Sequence, residues 1–178
     1  RAPLAPAPHN DKGSRMTRDP KSQASLEAVK AMEVGLANNE MDMTKYFTES
    51  FAWRGNQGCG TKNGIKEFQR NWQWPLRAAF TDRDYKTDQF LADGEWAACF
   101  GHIEGTHSGT FMGIPATGKR VKIPYMDFWR IEDGRIADNP VSVDFASVMM
   151  QLGVDVFGGE GWEKFDSGEE QPPKPEGY

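Results

Sequence analysis

Four β-favouring segments joined by tight turns fill most of residues 85–143, and this constrains the chain more than any other feature. Tyr85–Leu91 closes on Asp93-Gly94 and is followed by Trp96–Thr106. Val121–Ile131 closes on Asp133-Gly134, the two-residue signature of a hairpin, and Arg135–Val143 returns. Between the second and third segments, Gly113-Ile114-Pro115-Ala116-Thr117-Gly118 carries the turn chemistry of a tight connection. Thr110–Met112 is expected to prolong the second strand beyond a kink at Gly109, and Gly101 to mark a bulge or bend within it. Consecutive strands with such short links pair antiparallel. Long strands with glycine bends predict a strongly curved sheet.

Helical patterning lies on either side of these strands. Leu26, Val29, Met32 and Leu36 recur at helical spacing, with Ser22 as the expected N-cap and an end near Asn38–Asn39. A helical turn around Met43–Phe47 and a polar, glycine-rich loop from Arg54 to Gly64 follow. A second helix carries Ile65, Phe68 and Trp72 on one side, and Pro75 kinks or restarts it. Asp144 caps a last helix that runs to Leu152 and ends at Gly153. Helices first and hairpins afterwards define an α+β fold rather than alternating βαβ units. The expected architecture is a curved antiparallel sheet forming a conical barrel, with the N-terminal helices closing a central pocket.

Composition narrows the function. A net charge of −5 argues against an electrostatic grip on nucleic acid or on an anionic membrane, and no apolar run approaches the ~20 residues of a membrane helix. The short run Lys119-Arg120-Val121-Lys122 reads as a solvated strand end. Cys59 and Cys99 form no C-x-x-C pair, and the three histidines lack zinc-ligand spacing, so neither a metal nor a cofactor is expected. The paucity of cysteines points to a reducing cytoplasm. Residues 1–20, with Met16 as a candidate start, read as a flexible lead; residues 21–165 read as the folded domain, and 166–178 as a disordered tail.

From about Thr44 to Gly153 the chain resembles the SnoaL-like polyketide cyclases of the nuclear-transport-factor-2-like superfamily. The resemblance rests on Gly105-Thr106-His107-Ser108-Gly109, on Phe111 to Lys119, on Phe128-Trp129-Arg130-Ile131-Glu132-Asp133-Gly134-Arg135-Ile136, and on Met150-Gln151-Leu152-Gly153. It implies a conical α+β fold with a deep pocket for a small molecule, and a homodimer through the outer face of the sheet. In the family's aldol cyclases, an Asp on the last strand moves a proton from the carbon that attacks a ring-closing carbonyl. It is usually the third letter of a His-Trp-Asp-like run. Here that run is Asn139-Pro140-Val141, so the position falls on Val141, which cannot accept a proton. Polar positions on the neighbouring strand fall at Tyr125 and Asp127, and an asparagine near the first lid falls at Trp53.

The candidate site follows from strand parity. Tyr125, Asp127 and Trp129 share one face, and a carboxylate inside an aromatic cavity has the raised pKa that suits a general base. A structural Asp paired with Arg54 or Arg130 competes with that role. His102, in phase with Phe100 and Glu104, is the expected partner of Asp127 if the two strands pair face to face; a buried histidine bonded to backbone is the alternative. Tyr125 is the candidate donor to a substrate oxygen. Trp53, Phe100, Trp129 and Val141 are the candidate substrate-binding wall, with plain core packing as the competing reading of the tryptophans. His107 reads as structural and Asp144 as a helix cap. The functional expectation is cofactor-independent acid/base chemistry on a small cyclic or polyketide-like molecule, of cyclase, isomerase or hydrolase type. A non-catalytic binding module of the same fold is the alternative.

Overall fold

The computed structural model describes residues 18–177; the first seventeen residues of the lead, with Met16, lie outside them. Helix α1 spans Pro20–Ala37. Its cap is Asp19, which accepts from the Lys21 and Ser22 amides, and Pro20 occupies the first turn, where a missing N–H is harmless. Ser22, expected as the cap, lies inside the helix and is buried. Its hydroxyl instead accepts from the Gly94 amide at 2.7 Å, and Ser25 donates to the Gly94 carbonyl at 2.8 Å, so the helix is tied to a distant hairpin turn.

Strand β1, Phe47–Gly55, was not expected. A register shift between Phe47 and Ala52 leaves the buried Phe47 and Phe51 four residues apart, a spacing that imitates a helix. Short strand β2, Thr61–Asn63, leads into helix α2, Gly64–Phe68. The chain then widens into a π turn over Gln69–Gln73 and resumes as α3, Trp74–Ala79, with Pro75 in its first turn. Proline cannot donate to the turn before it, so the helix restarts there.

Strands β3 (Phe80–Asp93), β4 (Trp96–His107), β5 (Arg120–Glu132) and β6 (Arg135–Val143) form successive antiparallel hairpins, and α4, Phe145–Gln151, follows under its Asp144 cap. Thr110–Met112 does not prolong β4. Phe111 and Ile114 bond to each other across a tight turn in which Met112 and Gly113 both have positive φ, a conformation that glycine takes without strain.

The sheet has six strands in the order β2-β1-β6-β5-β4-β3. It is mixed rather than wholly antiparallel, because β1 runs parallel to β6. It curves but does not close into a barrel, since β2 and β3 remain as edges. Part of the curvature arises at Gly101. There β3 carries an extra residue between Thr87 and Gln89, and a Cβ on Gly101 would lie 2.1 Å from the Lys86 carbonyl oxygen. Only a residue without a side chain lets β3 come so close. Helix α1 lies across β3, β4, β5 and β6, covering the concave side that the sheet leaves open. Among the described residues no helix is long and apolar enough to cross a membrane.

Candidate active site

The helices and the concave sheet face enclose a cavity of about 460 Å³. Strand pleat decides what enters it. On β5, Ile123, Tyr125, Asp127 and Trp129 line the cavity; on β6, Asn139, Val141 and Val143 do. Trp53 on β1 packs at a tilt against Trp72 of the π turn with ring centroids 4.3 Å apart, and Phe68 of α2 completes this aromatic wall. Apart from a few polar groups, the lining is apolar and aromatic, as small-molecule pockets usually are.

Asp127 is the central polar group. It stands opposite Cys99 on β4 and opposite Val141 on β6. The Asn139 amide donates to its Oδ1 at 3.1 Å and to the Phe128 carbonyl at 2.9 Å, which holds the carboxyl in place. Among the described residues no cation pairs with it: Arg54 forms a two-pronged bond with Asp138, and Arg130 leans on Glu132 at 3.6 Å. One side of Asp127 opens into the cavity, yet the walls strip away bulk water. That desolvation pushes its pKa up to about 7, with the Asn139 bond pulling modestly the other way. Tyr125 is buried, and its hydroxyl shares a 2.8 Å hydrogen bond with Thr87. Burial raises the phenol pKa further, so it stays protonated and able to donate.

His102 and Phe100 do not join this group. The register of β4 on β5 places His102 opposite Pro124 and Phe100 opposite Met126, on the outer face of the sheet. Ile103, one residue away, is the one that lines the cavity. His102 instead faces Glu104 at 3.5 Å, and Phe100 is 44% exposed. The expected His102–Asp127 dyad is therefore absent. A one-residue difference in register moves a side chain to the opposite face, and sequence parity alone does not set that register. His107 is fully buried and bonds Thr117 at 3.0 Å, away from the cavity.

Among the other polar residues that line the cavity, three bear on its chemistry. Asn139 orients Asp127. Gln73, on the π turn, is only 7% exposed, lines the cavity and makes no side-chain hydrogen bond among the described residues. Glu33 faces in from α1, and burial, aided by the charge of Asp127 and opposed by Lys30, pushes its pKa up to about 7. The signal for Glu33 was present in the sequence: it follows Val29 by four residues and precedes Leu36 by three, so it sits on the apolar stripe. Among the described residues no three His, Cys, Asp or Glu side chains gather as metal ligands.

This open, curved sheet with helices across its hollow is the nuclear-transport-factor-2-like architecture. A protein of that type from Burkholderia thailandensis superposes with a TM-score of 0.62 at 19% identity, over 72% of this chain and 96% of that one. A SnoaL-like protein of Jannaschia sp. CCS1 gives 0.68 at 17% identity, over 76% and 96%. The family model for SnoaL-like polyketide cyclases matches residues 27–152, and the chain belongs to that family. Nogalonic acid methyl ester cyclase of Streptomyces nogalater is 30% identical over 122 residues, 68% of this chain and 90% of the relative. An aklanonic acid methyl ester cyclase of Streptomyces peucetius is 31% identical over 88 residues, 49% of this chain and 61% of the relative.

Proposed function

We propose that the cavity binds a ring-containing polyketide-like ester and that Asp127 acts there as the general base of a cofactor-independent ring closure. The observation that carries this is the cation-free Asp127, held by Asn139 directly opposite Val141. Val141 occupies the position where the family resemblance places the catalytic Asp. Directly opposed residues on antiparallel strands have Cβ atoms ~5 Å apart, so a carboxyl on β5 reaches nearly the same part of the cavity. Desolvation suits it to accept a proton near neutral pH. Tyr125 and Gln73 supply donors for a substrate oxygen, while Trp53, Trp72 and Trp129 offer flat apolar surfaces to a fused-ring substrate.

The relatives act as cyclases of nogalonic and aklanonic acid methyl esters, and we carry that substrate class to this chain. The test is conversion of either ester, followed by chromatography, in the wild type and in Asp127→Asn. Loss of side-chain proton transfer lowers turnover by ~10²–10⁴-fold, with ester binding retained. Val141 also favours a second reading, a binding module without chemistry. Tight binding of the esters by the wild type with no product would establish it.

The outer sheet face is proposed as a homodimer interface. Phe100, Met126, Phe128 and Leu91 are all exposed there, an apolar patch that a lone soluble chain rarely presents. Phe128→Asp is expected to halve the mass measured by light scattering; an unchanged mass would exclude this face. The two unpaired thiols, Cys59 and Cys99, support a cytoplasmic location.

A further inference from the structure

We infer that Glu33 and Asp127 form one acid–base pair across the cavity, Glu33 giving a proton to the substrate oxygen while Asp127 takes one from carbon. The inference rests on the acid/base reading proposed above and adds a second catalytic residue to it.

The geometry begins on α1. Val29 and Met32 are buried, Leu36 packs against the core, and Glu33 shares their side of the helix. That side lies across β3 to β6, so Glu33 enters the cavity from its roof while Asp127 rises from its floor. A carboxyl on an apolar stripe is costly unless something compensates. Among the described residues Glu33 has neither a salt bridge nor a side-chain hydrogen bond. The nearby Lys30 places its ammonium 5.2 Å from the Phe90 ring centroid instead. Packing alone would favour Leu or Met at this position.

The other ionisable groups facing the pair are Lys30 on α1, Arg77 on α3, Tyr85 on β3, Cys99 on β4 and Tyr125 on β5. The elements β1, β6, α2 and the π turn contribute none to the lining. Two carboxyls that share a cavity repel when both are ionised, so near neutral pH the pair holds one proton between them. Burial raises both groups, and the charge of Asp127 raises Glu33 further. One carboxylate and one carboxylic acid are the two roles that an aldol-type closure requires.

The step balances. Asp127 removes the proton from a carbon beside a carbonyl, and the C–H electron pair forms the new C–C bond to the ketone carbon. The ketone π pair moves onto its oxygen, which takes the proton of Glu33. The pair then holds the same number of protons on exchanged partners, and water in the cavity returns the proton.

The test uses Glu33→Gln and Asp127→Asn, with two readouts. The first is turnover of nogalonic acid methyl ester against pH. Glu33→Gln is expected to lower kcat by about ten- to a hundred-fold and to remove the alkaline limb of a bell-shaped profile, with Asp127→Asn slowed ~10²–10⁴-fold. A Glu33→Gln profile that matches wild type beside a strongly slowed Asp127→Asn overturns the role of Glu33 and leaves the base assignment intact. A fully active Asp127→Asn overturns both. The second readout needs no substrate: a carbon-13 carboxyl titration by NMR. The Glu33 midpoint is expected to fall in Asp127→Asn as the like charge disappears; an unchanged midpoint shows that the two groups are not coupled and overturns the pair.

Discussion

Replacing Asp127 with asparagine isolates the effect of burying its charge. The shape is preserved, and the oxygen of the introduced amide can still accept the Asn139 hydrogen bond that the carboxylate accepts at 3.1 Å. In the folded chain the carboxyl titrates at about 7, against an ordinary 3.8. A pKa raised by folding stabilises the native state fully below the ordinary value, and this contribution is lost as pH climbs through the folded value. The window is therefore about pH 4 to 7. At ~1.4 kcal/mol per pH unit, the two units between pH 5 and pH 7 are worth ~2.7 kcal/mol. Water in the cavity reduces this to about 2 kcal/mol. The amide never ionises, so Asp127→Asn should gain on wild type by about 2 kcal/mol between pH 5 and pH 8. In a domain of this size that widens the difference in Tm by roughly 4–8 °C. Glu33 titrates in both proteins, and relief of its repulsion adds in the same direction. Urea and thermal unfolding at pH 5, 6, 7 and 8 measure the effect. Parallel stability curves for the two proteins would refute the desolvation of Asp127.

Other substitutions probe the rest of the site. Gly101→Ala forces a Cβ to within 2.1 Å of the Lys86 carbonyl oxygen and should cost at least ~2 kcal/mol, read as a lowered urea midpoint. Gln73→Leu removes an amide with no side-chain hydrogen bond among the described residues, so stability should hold or rise while ester affinity, measured by calorimetry, falls about five- to tenfold. Unchanged affinity would mean that Gln73 does not touch the ligand. Val141→Asp places a second carboxyl directly opposite Asp127. It should destabilise the fold more at pH 8 than at pH 5, by about 2 kcal/mol, because two adjacent charges then share one dry site.

Much of the architecture is legible in local chemistry. The Asp133-Gly134 turn and the β-rich segments around it appear where their residues place them, and β6 has the expected bounds Arg135–Val143. The stripe on α1 and the Asp144 cap are equally local. Strand β1 was hidden because its register shift breaks the alternation by which a strand is recognised. The cap of α1 was displaced because Ser22 serves a tertiary contact with Gly94 rather than the helix end.

The site divides along the same line. Parity within β5 is a property of one strand, so Tyr125, Asp127 and Trp129 on a common face could be read from residue spacing. The family motifs likewise raised the expectation that Val141 falls where a proton-transferring Asp would stand, and the structure sets Val141 directly opposite Asp127. Whether His102 faces Asp127 depends instead on how β4 is registered against β5, and the structure turns it to the outer face. That Asn139 holds Asp127, that Arg54 does not, and that Glu33 and Gln73 look into the same cavity also depend on contacts between segments far apart in sequence. Residue spacing alone carries the order of hairpins and helices and which β5 side chains share a face, because turn chemistry and pleat are local. Which groups share the cavity, and how their charges shift, follows from packing, because register and desolvation arise when distant segments meet.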